Sequence, residues 1–184
     1  AITLKGQDQL QWATLSSGTD ELIITTARGQ AIRFKESQLR PMGRTASGVR
    51  AIRLKKDDFV AGLDIISTSA ELRGKGQRES ALSQRQSALL VVTENGFAKQ
   101  TSLKEYKVQS RGGSGIKTAR ITPKTGRIVT TQIISEEKEL LALSSKGQVI
   151  RTKIKDIRTA GRATSGVRIM KLKGEDKVVG AVAL

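Results

Sequence analysis

Cysteine and histidine are both absent from this 184-residue chain, proline occurs only twice, and the aromatic side chains are limited to Trp12, Tyr106, Phe34, Phe59 and Phe97. Without cysteine there is no disulfide framework and no thiolate zinc site, a composition in keeping with a reducing cytoplasm. Without histidine the chain lacks the usual general base near neutral pH and the commonest metal ligand, so the familiar nucleophile–base dyads cannot be assembled. Acidic pairs remain at Asp57-Asp58 and Glu136-Glu137, with the oxygen chemistry for a hard cation. Asp58 recurs, however, as Asp176 and Asp8 ahead of strand-like runs, and an acid that closes a turn explains that recurrence. So few aromatics provide no stacking platform for unpaired bases. No apolar run approaches the roughly 18 residues of a membrane helix and no signal peptide is recognised, so no membrane partner is expected. Neither catalysis, nor a metal, nor a cofactor is expected of this chain.

Positive charge is present in excess. Lys and Arg number 33 against 17 Asp and Glu, a formal net charge of +16, and the excess lies inside the body of the chain rather than in a terminal block. A charge of that size calls for a polyanionic partner. An anionic membrane would need a basic amphipathic helix with an aromatic face, which is missing. Nucleic acid is the favoured partner. The length permits one domain with a real core, and that core must be built from Val, Ile, Leu and Ala, which suits many short strands.

One pattern occurs three times. At an offset of 118 residues Gly29 falls on Gly147, Arg33 on Arg151, Lys35 on Lys153, Arg40 on Arg158, Arg44 on Arg162, Gly48 on Gly166, Arg50 on Arg168 and Gly62 on Gly180. A more diverged middle copy follows the first at an offset of 67, with Gly96 under Gly29, Arg111 under Arg44, Gly115 under Gly48, Arg120 under Arg53 and Gln100 in place of arginine. The middle and last copies are only 51 apart, so the first carries an insertion within Ser67 to Gln86, polar and rich in small residues, which is expected to be a flexible surface loop. Ile2, Leu4, Asp8 and Leu10 match Ile52, Leu54, Asp58 and Val60, the closing half of an earlier copy. The expected organisation is a single array over 1–184: the end of a preceding blade (1–19), repeat 1 (20–66), the inserted loop (67–86), repeat 2 (87–134) and repeat 3 (135–184).

Each copy reads as four short strands. In the first these are Glu21 to Thr26, Gln30 to Lys35 after a glycine turn, Val49 to Leu54, and Phe59 to Ile65, with only Glu36 to Leu39 and its equivalents briefly helical. Four-stranded units in line define an all-β, propeller-like array of about three to four blades. Alternation places Arg33 and Lys35 on the face opposite Ile32 and Phe34, and Arg151 and Lys153 repeat this, which predicts a cationic edge on each blade.

The loop Gly43-Arg44-Thr45-Ala46-Ser47-Gly48-Val49-Arg50 recurs as Gly161-Arg162-Ala163-Thr164-Ser165-Gly166-Val167-Arg168 and, more loosely, as Ser110-Arg111-Gly112-Gly113-Ser114-Gly115-Ile116-Lys117. Glycine lets the backbone approach a phosphate, the hydroxyls donate, and the flanking cations supply charge. No Gly-Lys-Ser or Gly-Lys-Thr run closes it into a nucleotide-binding P-loop. The cations expected at the nucleic acid are Arg33, Lys35, Arg40, Arg44, Arg50 and Arg53 in the first copy. The middle copy contributes Lys99, Arg111, Lys117 and Arg120, and the last Arg151, Lys153, Arg158, Arg162, Arg168 and Lys171.

At these residues, above all Gly29 to Ser37, Gly43 to Leu54 and Gly161 to Arg168, the chain resembles the C-terminal DNA-wrapping domain of the bacterial DNA gyrase A protein and of its topoisomerase IV relative. The resemblance implies a β-pinwheel whose blades exchange strands, with double-stranded DNA bent around a basic rim without sequence preference. It further implies two protein partners, the rest of the gyrase A protein plus the gyrase B protein, with ATP and Mg2+ belonging only to that holoenzyme, where wrapping serves negative supercoiling. A bacterial cytoplasmic, nucleoid-associated and monomeric chain is the corresponding expectation. Gln109 to Gly115 resembles the gyrase-specific box near Gln-Arg-Arg-Gly-Gly-Lys-Gly but sits in a later repeat and lacks two of its cations. A topoisomerase IV DNA-binding domain and a scaffold for an acidic protein are the alternatives.

Overall fold

Three antiparallel hairpins organise the computed structural model, which describes residues 2–67 and 87–184. They are β1 (Glu21–Thr26) with β2 (Gln30–Lys35), β4 (Ala88–Thr93) with β5 (Phe97–Ser102), and β8 (Glu139–Ser144) with β9 (Val149–Lys153). Each turns on a glycine with positive φ, as at Gly29 (83°), whose N–H donates to Thr26 O at 2.9 Å. The acids flagged in the sequence brace these turns. Asp58 accepts from the N–H groups of Arg28 and Phe59, and Asp176 from those of Lys146 and Lys177. Glu137 accepts from Ser135 and Glu136 in the same manner. Apart from Ser67, the expected inserted loop lies outside the described residues.

The sheets differ from a simple four-strands-per-repeat reading. β3 (Val60–Ile66), β7 (Ile128–Ile134) and β11 (Val178–Ala183) pair with β1, β4 and β8 of their own repeats. The expected third strand, by contrast, joins the sheet of the preceding repeat and is only two residues long: β6 (Ile116–Lys117) pairs with β2, and β10 (Val167–Arg168) with β5. The sheet orders are therefore β3-β1-β2-β6, β10-β5-β4-β7 and the three-stranded β11-β8-β9. Val49 to Leu54, expected as the first of these strands, has no ladder among the described residues, because a strand of this kind forms only on the hairpin of a preceding blade. Short 3₁₀ turns follow each hairpin at Glu36–Gln38, Leu103–Glu105 and Ile154–Asp156.

Blades stack face to face, so a central strand is buried on both sides, and β4 (Ala-Leu-Leu-Val-Val-Thr) is buried along its whole length. Its alternate residues serve two cores. Leu89 and Val91 pack with Ile23, Ala61 and Tyr106 towards the first blade, while Leu90 and Val92 pack with Leu140, Ala142 and Met170 towards the third. On the inner side, adjacent blades meet through β3, β7 and β11. Thr25 and Thr131 hydroxyls lie 2.9 Å apart, and Gly62 leaves the room that Thr131 fills. The opposite edge of each sheet, carrying β6 or β10, is the outer rim.

Candidate nucleic-acid interface

Several predicted cations are consumed by the fold. Arg33 donates through Nε to Glu21 at 2.7 Å and through a terminal nitrogen to Leu103 O and Tyr106 O at 3.1 and 3.2 Å, tying the first blade to the 3₁₀ turn of the second. Lys99 is 1% exposed and its ammonium donates to Gly161 O, Arg162 O and Thr164 Oγ1 at 2.8, 2.6 and 3.3 Å. Burial pushes its pKa down to about 8, against the opposing pull of Glu105. Lys99 is thus a strut under the 161–164 loop and presents no charge to the surface. Arg111, half-buried, donates to Gln38 O and Arg50 O, both at 3.0 Å. Arg162 lies beside Glu105, 3.8 Å away, and donates to Lys117 O at 3.4 Å.

The glycines of the recurring loop are explained by the strand exchange. Gly115 and Gly166 have φ of 68° and 78°, and a Cβ at Gly115 would lie 2.5 Å from Ala31 O, with Ala98 O in the same place over Gly166. Only glycine lets the loop come this close to the preceding hairpin. Thr118 N–H then donates to Gly29 O, and Ile169 N–H to Gly96 O, both at 2.8 Å, which ends the two-residue ladder.

The remaining predicted cations are exposed: Lys35, Arg40, Arg44, Arg50 and Arg53 in the first repeat, Lys117 and Arg120 in the second, Arg151, Lys153, Arg158, Arg168 and Lys171 in the third. Arg151 is held by Glu139. Lys117 and Arg168 occupy equivalent places on the exchanged strands at the outer edge, with Arg120 and Lys171 following at equivalent places beyond them. Among the described residues none of these four is salt-bridged to a carboxylate. The Arg168 guanidinium lies 5.2 Å from the centre of the Phe97 ring, with Lys124 5.7 Å from the same ring. Lys124, Arg168 and Lys177, with Asn95 and Asp176, line a recess of about 270 Å³ where the Asn95-Gly96 turn meets the exchanged segment. Lys124 and Arg127, both exposed, were not singled out from the sequence, because they belong to a Pro-Lys-Thr-Gly-Arg turn found only in the middle repeat. Their signal was the charge itself, not the repeat.

These features define a class: a propeller-type array whose blades exchange edge strands and carry cations on the exchanged strands. The chain belongs to the family described as DNA gyrase C-terminal domain, beta-propeller, which it matches over residues 20–67, 87–135 and 138–184. It is 42% identical over 183 residues to the DNA gyrase A protein of Staphylococcus epidermidis (strain ATCC 12228 / FDA PCI 1200), covering 100% of this chain and 19% of that protein. With the DNA gyrase A protein of Staphylococcus aureus (strain MRSA252) it shares 39% identity, again over 19% of the relative's length. The chain thus spans about a fifth of the curated relatives it matches. In fold it resembles a DNA gyrase A C-terminal domain, with a TM-score of 0.82 at 22% identity over 99% of this chain and 56% of that one. A C-terminal domain of DNA topoisomerase IV superposes with a TM-score of 0.85 at 23% identity over 100% of this chain and 52% of its own. Among the described residues no helix is long and apolar enough to cross a membrane.

Proposed function

We propose that the chain is a noncatalytic module that binds duplex DNA without sequence preference and bends it around its outer edge, in the service of an ATP-dependent type II topoisomerase of the gyrase kind. Its partners in that reading are the gyrase B protein, the rest of the gyrase A protein, and double-stranded DNA, whose bending favours introduction of negative supercoils. ATP and Mg2+ act elsewhere in the assembly. A cytoplasmic, nucleoid-associated location follows from that role.

The observation that carries the reading is the equivalent placement of Lys117 and Arg168 on successive exchanged strands, with Arg120 and Lys171 just beyond them, all four exposed and without a salt bridge to a carboxylate among the described residues. Cations repeated at equivalent places on successive blades can neutralise successive phosphates, and contacts of this kind hold the backbone without reading bases. Bending a duplex costs elastic energy that such contacts offset.

Energy transfer between the labelled ends of duplexes of increasing length, titrated with the chain at two salt concentrations, tests this. A salt-sensitive approach of the ends is the expected result. Binding without approach of the ends would sink bending by this chain. Affinity for acidic polypeptide that duplex DNA does not compete away would replace DNA with an acidic protein partner.

A further inference from the structure

The arginine of the recurring loop stands at the junction between repeats and is held there in the same way twice. At the first junction Arg111 donates its backbone N–H to Gln38 Oε1 at 2.8 Å, and its guanidinium donates to Gln38 O and Arg50 O, both at 3.0 Å. At the second, Arg162 donates its N–H to Glu105 Oε2 at 3.1 Å, its Nε lies 3.8 Å from the same carboxylate, and a terminal nitrogen donates to Lys117 O at 3.4 Å. Gln38 and Glu105 are counterparts, each the last residue of a 3₁₀ turn, and so are Arg50 and Lys117. Both arginines therefore reach back from their own repeat to the main-chain carbonyl of an exposed cation in the repeat before.

A second bond closes each arrangement. Arg53 N–H donates to Gly113 O at 2.8 Å and Arg120 N–H to Thr164 O at 3.0 Å. Thr3 N–H donates at 3.2 Å to Ala46 O, the counterpart of both carbonyls, so the bond recurs at the start of the first repeat. The segment Lys117 to Arg120 is thus bracketed by the third repeat, at one end by the Arg162 guanidinium and at the other by the Thr164 carbonyl. Arg111 and Gly113 bracket Arg50 to Arg53 in the same manner. The residues pinned at each end are exposed cations. Beneath the second bracket the Lys99 ammonium ties together Gly161 O, Arg162 O and Thr164 Oγ1.

The sequence pattern alone puts Arg111 and Arg162 among the groups that meet phosphate. We propose instead that they are positioning residues, each fixing the backbone of two DNA-binding cations of the preceding repeat, a role that rests on the reading of the chain as a DNA-bending module. A cation on a loose backbone still neutralises a phosphate, but only one on a fixed backbone holds that phosphate against the stiffness of the duplex. The salt dependence of binding then counts the exposed cations, while the bend depends on the brackets.

Arg162→Ala and Arg162→Lys, set beside Lys117→Ala, test this through three measurements: hydrogen exchange of the Arg120 amide in the free chain, the slope of log K against log salt, and energy transfer between the ends of a saturated duplex. Both Arg162 variants should speed exchange at Arg120 by about tenfold or more, keep the wild-type slope, and leave the duplex ends farther apart. Lysine does not rescue, because a single ammonium has no fork to span Glu105 and Lys117 O together. Lys117→Ala should lower the slope by about 1 and leave exchange at Arg120 unchanged. A slope that falls by about 1 in Arg162→Ala and returns in Arg162→Lys overturns the proposal, since Arg162 would then be a phosphate ligand. Wild-type end separation in both Arg162 variants overturns it as well. Failure of the DNA-bending reading looks different: the wild-type chain itself leaves the duplex ends apart, whatever the exchange at Arg120.

Discussion

Gln132 and Asp64 hold the same place on successive inner strands, and each reaches across to the backbone of the next blade. Gln132 makes a complete pair, accepting from Ala183 N–H at 2.9 Å and donating to Ala183 O at 3.3 Å. Asp64 accepts from Ile133 N–H at 3.3 Å, and its second oxygen is buried without a partner. Burial raises the Asp64 pKa from 3.8 to about 6, with the Ile133 hydrogen bond pulling the other way. A carboxyl whose pKa is raised by folding binds its proton more tightly in the native state. The native state therefore loses stability as pH rises from about 4 to about 6, and the loss is complete above that window. Asp64→Gln, which copies the Gln132 arrangement, should abolish this slope and add about 2 kcal/mol near pH 8. Urea denaturation of both proteins across pH 4 to 8 reads the difference, and parallel pH profiles would contradict the assignment.

The same logic of substitution between blades applies to the clamp at Arg33. Gln100 donates to Ile154 O and Ile157 O, both at 2.7 Å, as Arg33 does to Leu103 O and Tyr106 O. Where Arg33 needs Glu21 to balance its half-buried charge, the equivalent of Glu21 in the second blade is Ala88. Arg33→Ala should cost about 2–3 kcal/mol, since it leaves the half-buried Glu21 without its cation, removes the side-chain donor to Tyr106 O and leaves Leu103 O with the Tyr106 N–H alone. Glu21→Ala combined with Arg33→Gln, the pair used by the second blade, should recover more than half of that loss in denaturant unfolding. No recovery would mean that the stability lost belongs to the Arg33–Glu21 pair within the first hairpin and not to the carbonyl contacts that reach the second blade.

Hairpins, turn acids and 3₁₀ turns were legible in the sequence because each is local: a glycine with positive φ between alternating strands, or an acid just ahead of a strand. The third strand is shorter than the spacing of the repeat suggests, and its exchange onto the preceding hairpin was implied by the family resemblance, not by the repeat itself, because a ladder to another repeat is a long-range fact that a repeat unit does not display. Among the cations, Lys99 was the misleading one. Periodicity within Phe97–Ser102 does not separate it from a surface lysine, yet the repeat offsets place it on Ile32 and Ile150, an inward position. The glycines of the recurring loop were legible as requirements of the backbone, but both a phosphate and a neighbouring carbonyl demand glycine, and only the packed structure separates them.

The strand exchange makes a testable distinction between two glycines of equal conformation. Gly166 and Gly48 have φ of 78° and 77°, but only Gly166 is pressed against the backbone of another strand. Gly48→Ala should cost about 1 kcal/mol for the left-handed conformation alone, whereas Gly166→Ala adds a steric clash and should cost about 3 kcal/mol. Hydrogen exchange at Val167 and Arg168 should accelerate in Gly166→Ala. Equal losses for the two variants would show that the exchanged strand contributes little.

Affinity for DNA should separate the free rim cations from those consumed by the fold. Replacing Lys117, Arg120, Arg168 and Lys171 together by alanine removes exposed charge and should leave stability within about 1 kcal/mol, Arg168 losing in addition its ring contact. If each of the four neutralises a phosphate, the slope of log K against log salt should fall by roughly 3 to 4. Lys99→Met should do the reverse. It strips Arg162 O of the Lys99 donor and leaves Gly161 O with the Thr164 hydroxyl alone, costing about 1–3 kcal/mol of stability, while the salt slope stays at its wild-type value, since a buried ammonium releases no counterion. A quadruple variant with an unchanged slope would move the DNA off the exchanged strands. A fall for Lys99→Met would place that ammonium, against its burial, among the groups that meet phosphate.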